Sequence, residues 1–65
     1  MTMHEVLKEL YNYLEPFDMA ERGELLTDMC FYAETGEEPD GFASNAKYGW
    51  LLVKTLMDEA ATKNA

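Results

Sequence analysis

The chain has 65 residues, 48% of them hydrophobic, which fits one compact core and is too apolar for a disordered tail. Thirteen acids against five bases give a net charge of −8, which repels phosphate backbones and disfavours direct binding to nucleic acid. A single cysteine, no apolar stretch near the ~20 residues of a membrane span, and charges within the first eight positions argue against a disulfide-knotted secreted domain, a membrane anchor and a signal peptide, and the length excludes a multidomain enzyme.

Three helices are expected, over about 2–15, 18–35 and 41–62 of one domain spanning 1–65, and no segment alternates as a strand would. The first opens at Thr2 with Glu5 three residues on, a capping box. Met3, Val6, Leu7, Leu10, Tyr11 and Leu14 recur at helical spacing, and Pro16 ends the helix because it cannot continue the hydrogen-bond ladder. Asp18 and Glu21 form a second capping box. Leu25, Leu26, Met29, Cys30, Tyr32 and Ala33 then make an apolar side, and Gly36 suits a left-handed C-terminal cap.

After the loop Gly36 to Gly41, Asp40 is expected to cap the third helix. Its core side reads Phe42, Ala43, Ala46, Gly49, Trp50, Val53, Leu56, Met57 and Ala60, with fraying from Ala60 onward. Lys47, Lys54 and Asp58 form a polar wedge beside that side, and beyond it lies a second apolar strip, Tyr48, Leu51, Leu52 and Thr55. Two readings of the strip stay open. Either this is the central helix, gripped by both others, or the strip is a homodimer contact. Gly49 beside Ala46 would allow another helix to approach closely.

Catalytic residues are not expected. His4 lies in the first turn of a helix with no sequence neighbour that makes it a base, and Cys30 sits among apolar residues, where cysteines are inert packing. Too few Cys and His are present for a metal site. The segment Glu34 to Asp40 lacks the alternating ligands and central glycine of a calcium loop, and no glycine-rich phosphate loop occurs, so neither metal nor cofactor is expected.

Binding residues are easier to find, because charge is unevenly spread. Met1 to Asp40 holds eleven acids and two bases, net −9, whereas Gly41 to Ala65 is net +1. Glu21, Glu24 and Asp28 lie on one side of the second helix, Asp18 precedes them, and Glu34, Glu37, Glu38 and Asp40 follow just beyond the helix end. From Asp18 to Asp28 is about 15 Å at 1.5 Å per residue, the length of several phosphates at ~3.4 Å each. Phe31 interrupts the polar side. It is either an aromatic anchor within an acidic rim or a ring packed under the loop or against a second copy.

The stretch Glu21-Arg22-Gly23-Glu24-Leu25-Leu26, the segment Tyr32-Ala33-Glu34-Thr35-Gly36-Glu37-Glu38-Pro39, and the pieces Ala46-Lys47 and Leu51-Leu52-Val53-Lys54 resemble a family of small helical phage and prophage domains. Some members open phage replication-associated proteins. The resemblance runs from about Leu10 to Asp58. It implies a mobile-element origin and the cytoplasm of a bacterial host cell, and it carries over no catalytic residues. A tiny acidic phage protein also fits the profile of anti-CRISPR inhibitors. The expected function is therefore a non-enzymatic nucleic-acid mimic that blocks a basic nucleic-acid-binding protein, a CRISPR effector nuclease above all. The alternative is a phage replication or assembly accessory acting through helix–helix contacts at Tyr48, Leu51 and Leu52.

Overall fold

The structure, a computed structural model, describes residues 2–42 and 45–63, of Lys63 the backbone only. Three helices form, α1 (Met3–Leu14), α2 (Met19–Thr35) and α3 (Lys47–Lys63), with no strand among the described residues. Both capping boxes close. The Glu5 amide donates to Thr2 Oγ1 at 3.2 Å and the Thr2 amide to Glu5 Oε1 at 3.2 Å. The Glu21 amide donates to Asp18 Oδ1 at 2.8 Å and the Asp18 amide to Glu21 Oε1 at 3.0 Å. These bonds satisfy amides that a helix start leaves without partners. Gly36 ends α2 in the left-handed conformation, its amide bonded to the Tyr32 carbonyl.

The third helix begins later than the sequence suggests. Gly41 has φ +70°, which no right-handed helix accommodates, so the chain is still irregular at 41 and 42, and Asp40 does not cap α3. A turn at Asn45 and Ala46 leads into the helix, with the Tyr48 amide on the Asn45 carbonyl and the Gly49 amide on the Ala46 carbonyl. Ala43, expected in the core, lies outside the described residues, as do Asn64 and Ala65. The segment from Ala60 is helical as far as Lys63.

α3 is the central element. It packs against both other helices, which hardly touch each other. Leu10, Val53 and Leu56 form one buried cluster with Val6, Tyr13, Leu14 and Met29 around it. Leu25, Ala46 and Trp50 form a second, walled by Phe17, Tyr32 and Phe42, and Leu14 and Met29 belong to both margins. Trp50 meets the edge of Tyr32 at 5.6 Å between centroids and 86° between planes, and Phe42 at 6.4 Å.

Because α1 and α2 pack mainly on α3 and hardly on each other, each buries only a narrow stripe. On α1 the stripe is Val6, Leu10, Tyr13 and Leu14, and Met3, Leu7 and Tyr11, expected in the core, are exposed. On α2 it is Leu25, Met29 and Tyr32, which leaves Leu26 and Cys30 in solvent, so Cys30 is not the buried packing residue expected. Being central does not cover the second strip of α3 either: Tyr48, Leu51, Leu52 and Thr55 are all exposed.

Two side chains without a local sequence signal complete the fold. Arg22, early in α2, donates its Nε to the carbonyls of Leu14 (3.0 Å) and Phe17 (2.8 Å) and its Nη2 to that of Glu15 (2.9 Å). The guanidinium thus satisfies the C-terminal end of α1, where positive charge is favourable. Phe17 lies against Gly49. A Cβ there would sit 2.7 Å from Phe17 Cε2 and 3.2 Å from Leu25 Cδ1. The close approach at Gly49 is therefore made by the ring that joins α1 to α2 and by Leu25.

Gly23 and Gly49 should respond to alanine in opposite ways. A Cβ at Gly23 meets nothing within 4 Å, so Gly23→Ala should stabilise by about 0.5–1 kcal/mol through helix propensity. Gly49→Ala should destabilise by about 1–3 kcal/mol through overpacking against Phe17. Urea unfolding of both variants checks the pair, and equal stabilisation would contradict the packing described.

Candidate functional site

The acidic residues do not act as a single row. Asp18 and Glu21 are bound to each other's backbone amides at the start of α2, where their charge also suits the helix dipole. Farther along, Asp28 and Phe31 project from the side of α2 next to the loop. Thr27, Asp28 and Phe31 form one wall of an open cleft of about 350 Å³, and Glu37, Glu38, Pro39 and Asp40 form the other. Five of the nine expected partner-binding residues thus converge on one place. Glu24 stands one turn before Asp28, outside the lining, and Glu34 is exposed and also outside it.

The loop wall is fastened to the core. Trp50 Nε1 donates to Glu38 Oε1 at 3.3 Å, while the indole itself is buried. The Glu37 amide donates to Thr35 Oγ1 at 3.1 Å, just past the end of α2. Phe42, packed on Trp50, secures the far side of the loop. Glu38 therefore spends part of its acceptor capacity within the protein, leaving Asp28, Glu37 and Asp40 as the main carboxylates of the cleft. Phe31 is 43% exposed, so it is not packed away under the loop; the ring lines the cleft and presents an aromatic surface there.

Electrostatics distinguish Asp28 from the other acids. Its carboxyl is held above the ordinary value, first by partial burial and second by repulsion from Glu24 one turn away. A cation entering the cleft would relieve that repulsion. Across the domain, Tyr32 donates its hydroxyl to Asp58 Oδ1 at 2.7 Å, and this bond, with burial and the charges of Asp58 and Glu38, raises its pKa. Lys54 completes that group, 3.7 Å from Asp58 Oδ2 and 5.9 Å from the centre of the Tyr32 ring.

No three His, Cys, Asp or Glu side chains among the described residues are grouped to hold a metal ion. The cleft carboxylates border an opening and do not close on a point, an arrangement that fits an extended cationic group over an aromatic face. No helix among the described residues is long and apolar enough to cross a membrane. Residues 6–65, nearly the whole chain, match a family of unknown function designated DUF6291. No curated protein and no solved structure matches the chain.

Asp28→Asn tests the electrostatic description. A carboxyl whose pKa is raised by folding favours the folded state below its unfolded value and loses that advantage as pH rises through the folded value. The ionised form is therefore the destabilising one. Thermal melts should show Asp28→Asn more stable than wild type at pH 7, with the gap closing as pH falls through the Asp28 pKa. A gap that is constant with pH would contradict the assignment.

Proposed function

The chain belongs to the DUF6291 family of unknown function, and we propose that it is a non-enzymatic acidic binding protein that occupies a nucleic-acid-binding surface on a basic bacterial protein. The observation that carries this reading is the convergence of Asp28, Glu37, Glu38 and Asp40 with Phe31 on one open cleft. Carboxylates at the rim suit the Lys and Arg side chains that otherwise hold phosphates, and the exposed ring gives a guanidinium a face to stack on. The net charge of −9 over Met1 to Asp40 steers such a partner toward this half of the molecule.

The most specific form of the reading is a phage-encoded anti-CRISPR protein that blocks nucleic-acid access to a CRISPR effector nuclease in the cytoplasm of a bacterial host. Small size, acidity and a preformed anionic cleft support it. A second reading, a phage replication or assembly accessory acting through helix–helix contacts, draws on the uncovered strip of α3.

Capture from bacterial lysate on the immobilised full chain separates the two. Under the first reading the retained proteins are nucleic-acid binders. They elute with a single-stranded DNA oligonucleotide, and their retention falls by about tenfold or more on raising salt from ~0.1 to ~0.5 M. A variant with Asp28→Asn, Glu37→Lys and Asp40→Lys, which leaves both capping boxes intact, should retain none of them. Retention by that variant equal to wild type would overturn the acidic-cleft mechanism. Salt-resistant retention abolished by Leu52→Glu would favour the second reading.

A further inference from the structure

The outer face of α3 has a projecting end and a recessed end. Toward the N-terminus Tyr48 stands out, 69% exposed, with Lys47 Nζ 5.1 Å from its ring centre. In the middle lie Leu51 and Leu52, 68% and 49% exposed. Thr55 donates its hydroxyl to the Leu51 carbonyl at 2.8 Å, so its polar atom is engaged within the helix and its methyl group is what remains for a partner. Beyond it Thr55, Asp58, Glu59 and Thr62 border an open cleft of about 280 Å³, large enough to admit a phenol ring.

Charge follows the same polarity, with Lys47 at the projecting end and Asp58 and Glu59 at the recessed end. A second copy turned end for end satisfies shape and charge together. With Leu51 of one copy beside Thr55 of the other, Lys47 comes level with Asp58 and Glu59, and at ~100° per residue Asp58 is the acid that lies on the same flank of the strip as Lys47. A parallel copy would set lysine against lysine and acid against acid. The global charge points the same way: a second chain of net −8 meets least repulsion at the part of this one whose net charge is +1, residues 41–65.

We propose that α3 is the interface of a symmetric antiparallel homodimer. Tyr48 of each copy occupies the Thr55–Thr62 cleft of the other, Leu51 and Leu52 pack across the two-fold axis, and Lys47 pairs with Asp58 of the second copy. A two-fold axis makes each contact occur twice, so one projecting residue and one recess per chain suffice. The surface shares no residue with the acidic cleft. Its failure would leave the binding reading untouched, and a dimer would present two acidic clefts to a target.

Sedimentation equilibrium of the full chain tests the proposal. A face of one helix predicts a weak dimer, with a dissociation constant on the order of 10–100 μM. Tyr48→Ala and Leu52→Glu alter exposed side chains, so they should leave the helical circular dichroism unchanged while weakening association by about tenfold or more. Lys47→Glu and Asp58→Lys, each with its helical circular dichroism checked in the same way, should weaken it about threefold to tenfold, and the combined variant should return to near wild type. A monomer at all concentrations up to ~1 mM, undiminished association of Tyr48→Ala and Leu52→Glu, or a combined charge swap no tighter than either single change would overturn it.

Discussion

The fold depends on one helix and, within it, on one residue. α3 alone packs broadly against both other helices, and Trp50 is where α2, the loop and the helix start meet. Its indole is buried against Leu25 and Ala46, edged by Tyr32 and Phe42, and hydrogen-bonded to Glu38. A buried tryptophan removes about 150–250 Å² from water, worth roughly 4–6 kcal/mol as an upper bound. Net stabilities of small domains begin at about 5 kcal/mol, so that single contribution is comparable with the whole.

That arrangement also shapes the surface. With α1 and α2 nearly out of contact, each helix buries a stripe and leaves a second apolar side in solvent: Met3, Leu7 and Tyr11 on α1, Leu26 on α2, and Tyr48, Leu51 and Leu52 on α3. The same tryptophan that closes the core holds Glu38, and through it the loop wall of the acidic cleft. Core and site are therefore mechanically linked. The cleft is preorganised because its loop is fastened to the most buried aromatic residue, which lowers the ordering cost that binding would otherwise incur. The raised pKa of Asp28 fits this picture, since burial and Glu24 both disfavour its charge.

Much of this was legible in the sequence, and the failures have identifiable causes. Helix starts at Thr2 and Asp18 and the stop at Gly36 could be read because capping is local chemistry, set within a few residues. The late start of α3 was missed because Asp40 resembles a cap, whereas the positive φ of Gly41 is imposed by the loop it belongs to. Cys30, Met3, Leu7 and Tyr11 were misplaced for a different reason. Periodicity says which residues share a face but not how many neighbours cover it. The acids were found individually, yet their division between caps and cleft depends on the loop folding back along α2, which no spacing rule encodes. Arg22 and Phe17 act on partners up to eight and thirty-two residues away, so nothing in their immediate sequence announces them.

The central claim is that Trp50 is locked in the core with its indole nitrogen bonded to Glu38, and hydrogen exchange of that N–H measures this most directly. Trp50 is the only tryptophan, so its indole signal in a nitrogen-15 NMR spectrum is unambiguous. The account predicts slow exchange in the wild type, by about a hundredfold or more relative to a free indole, and a clear acceleration in Glu38→Ala without loss of helix. Exchange at the rate of free tryptophan, or a rate indifferent to Glu38, would contradict it.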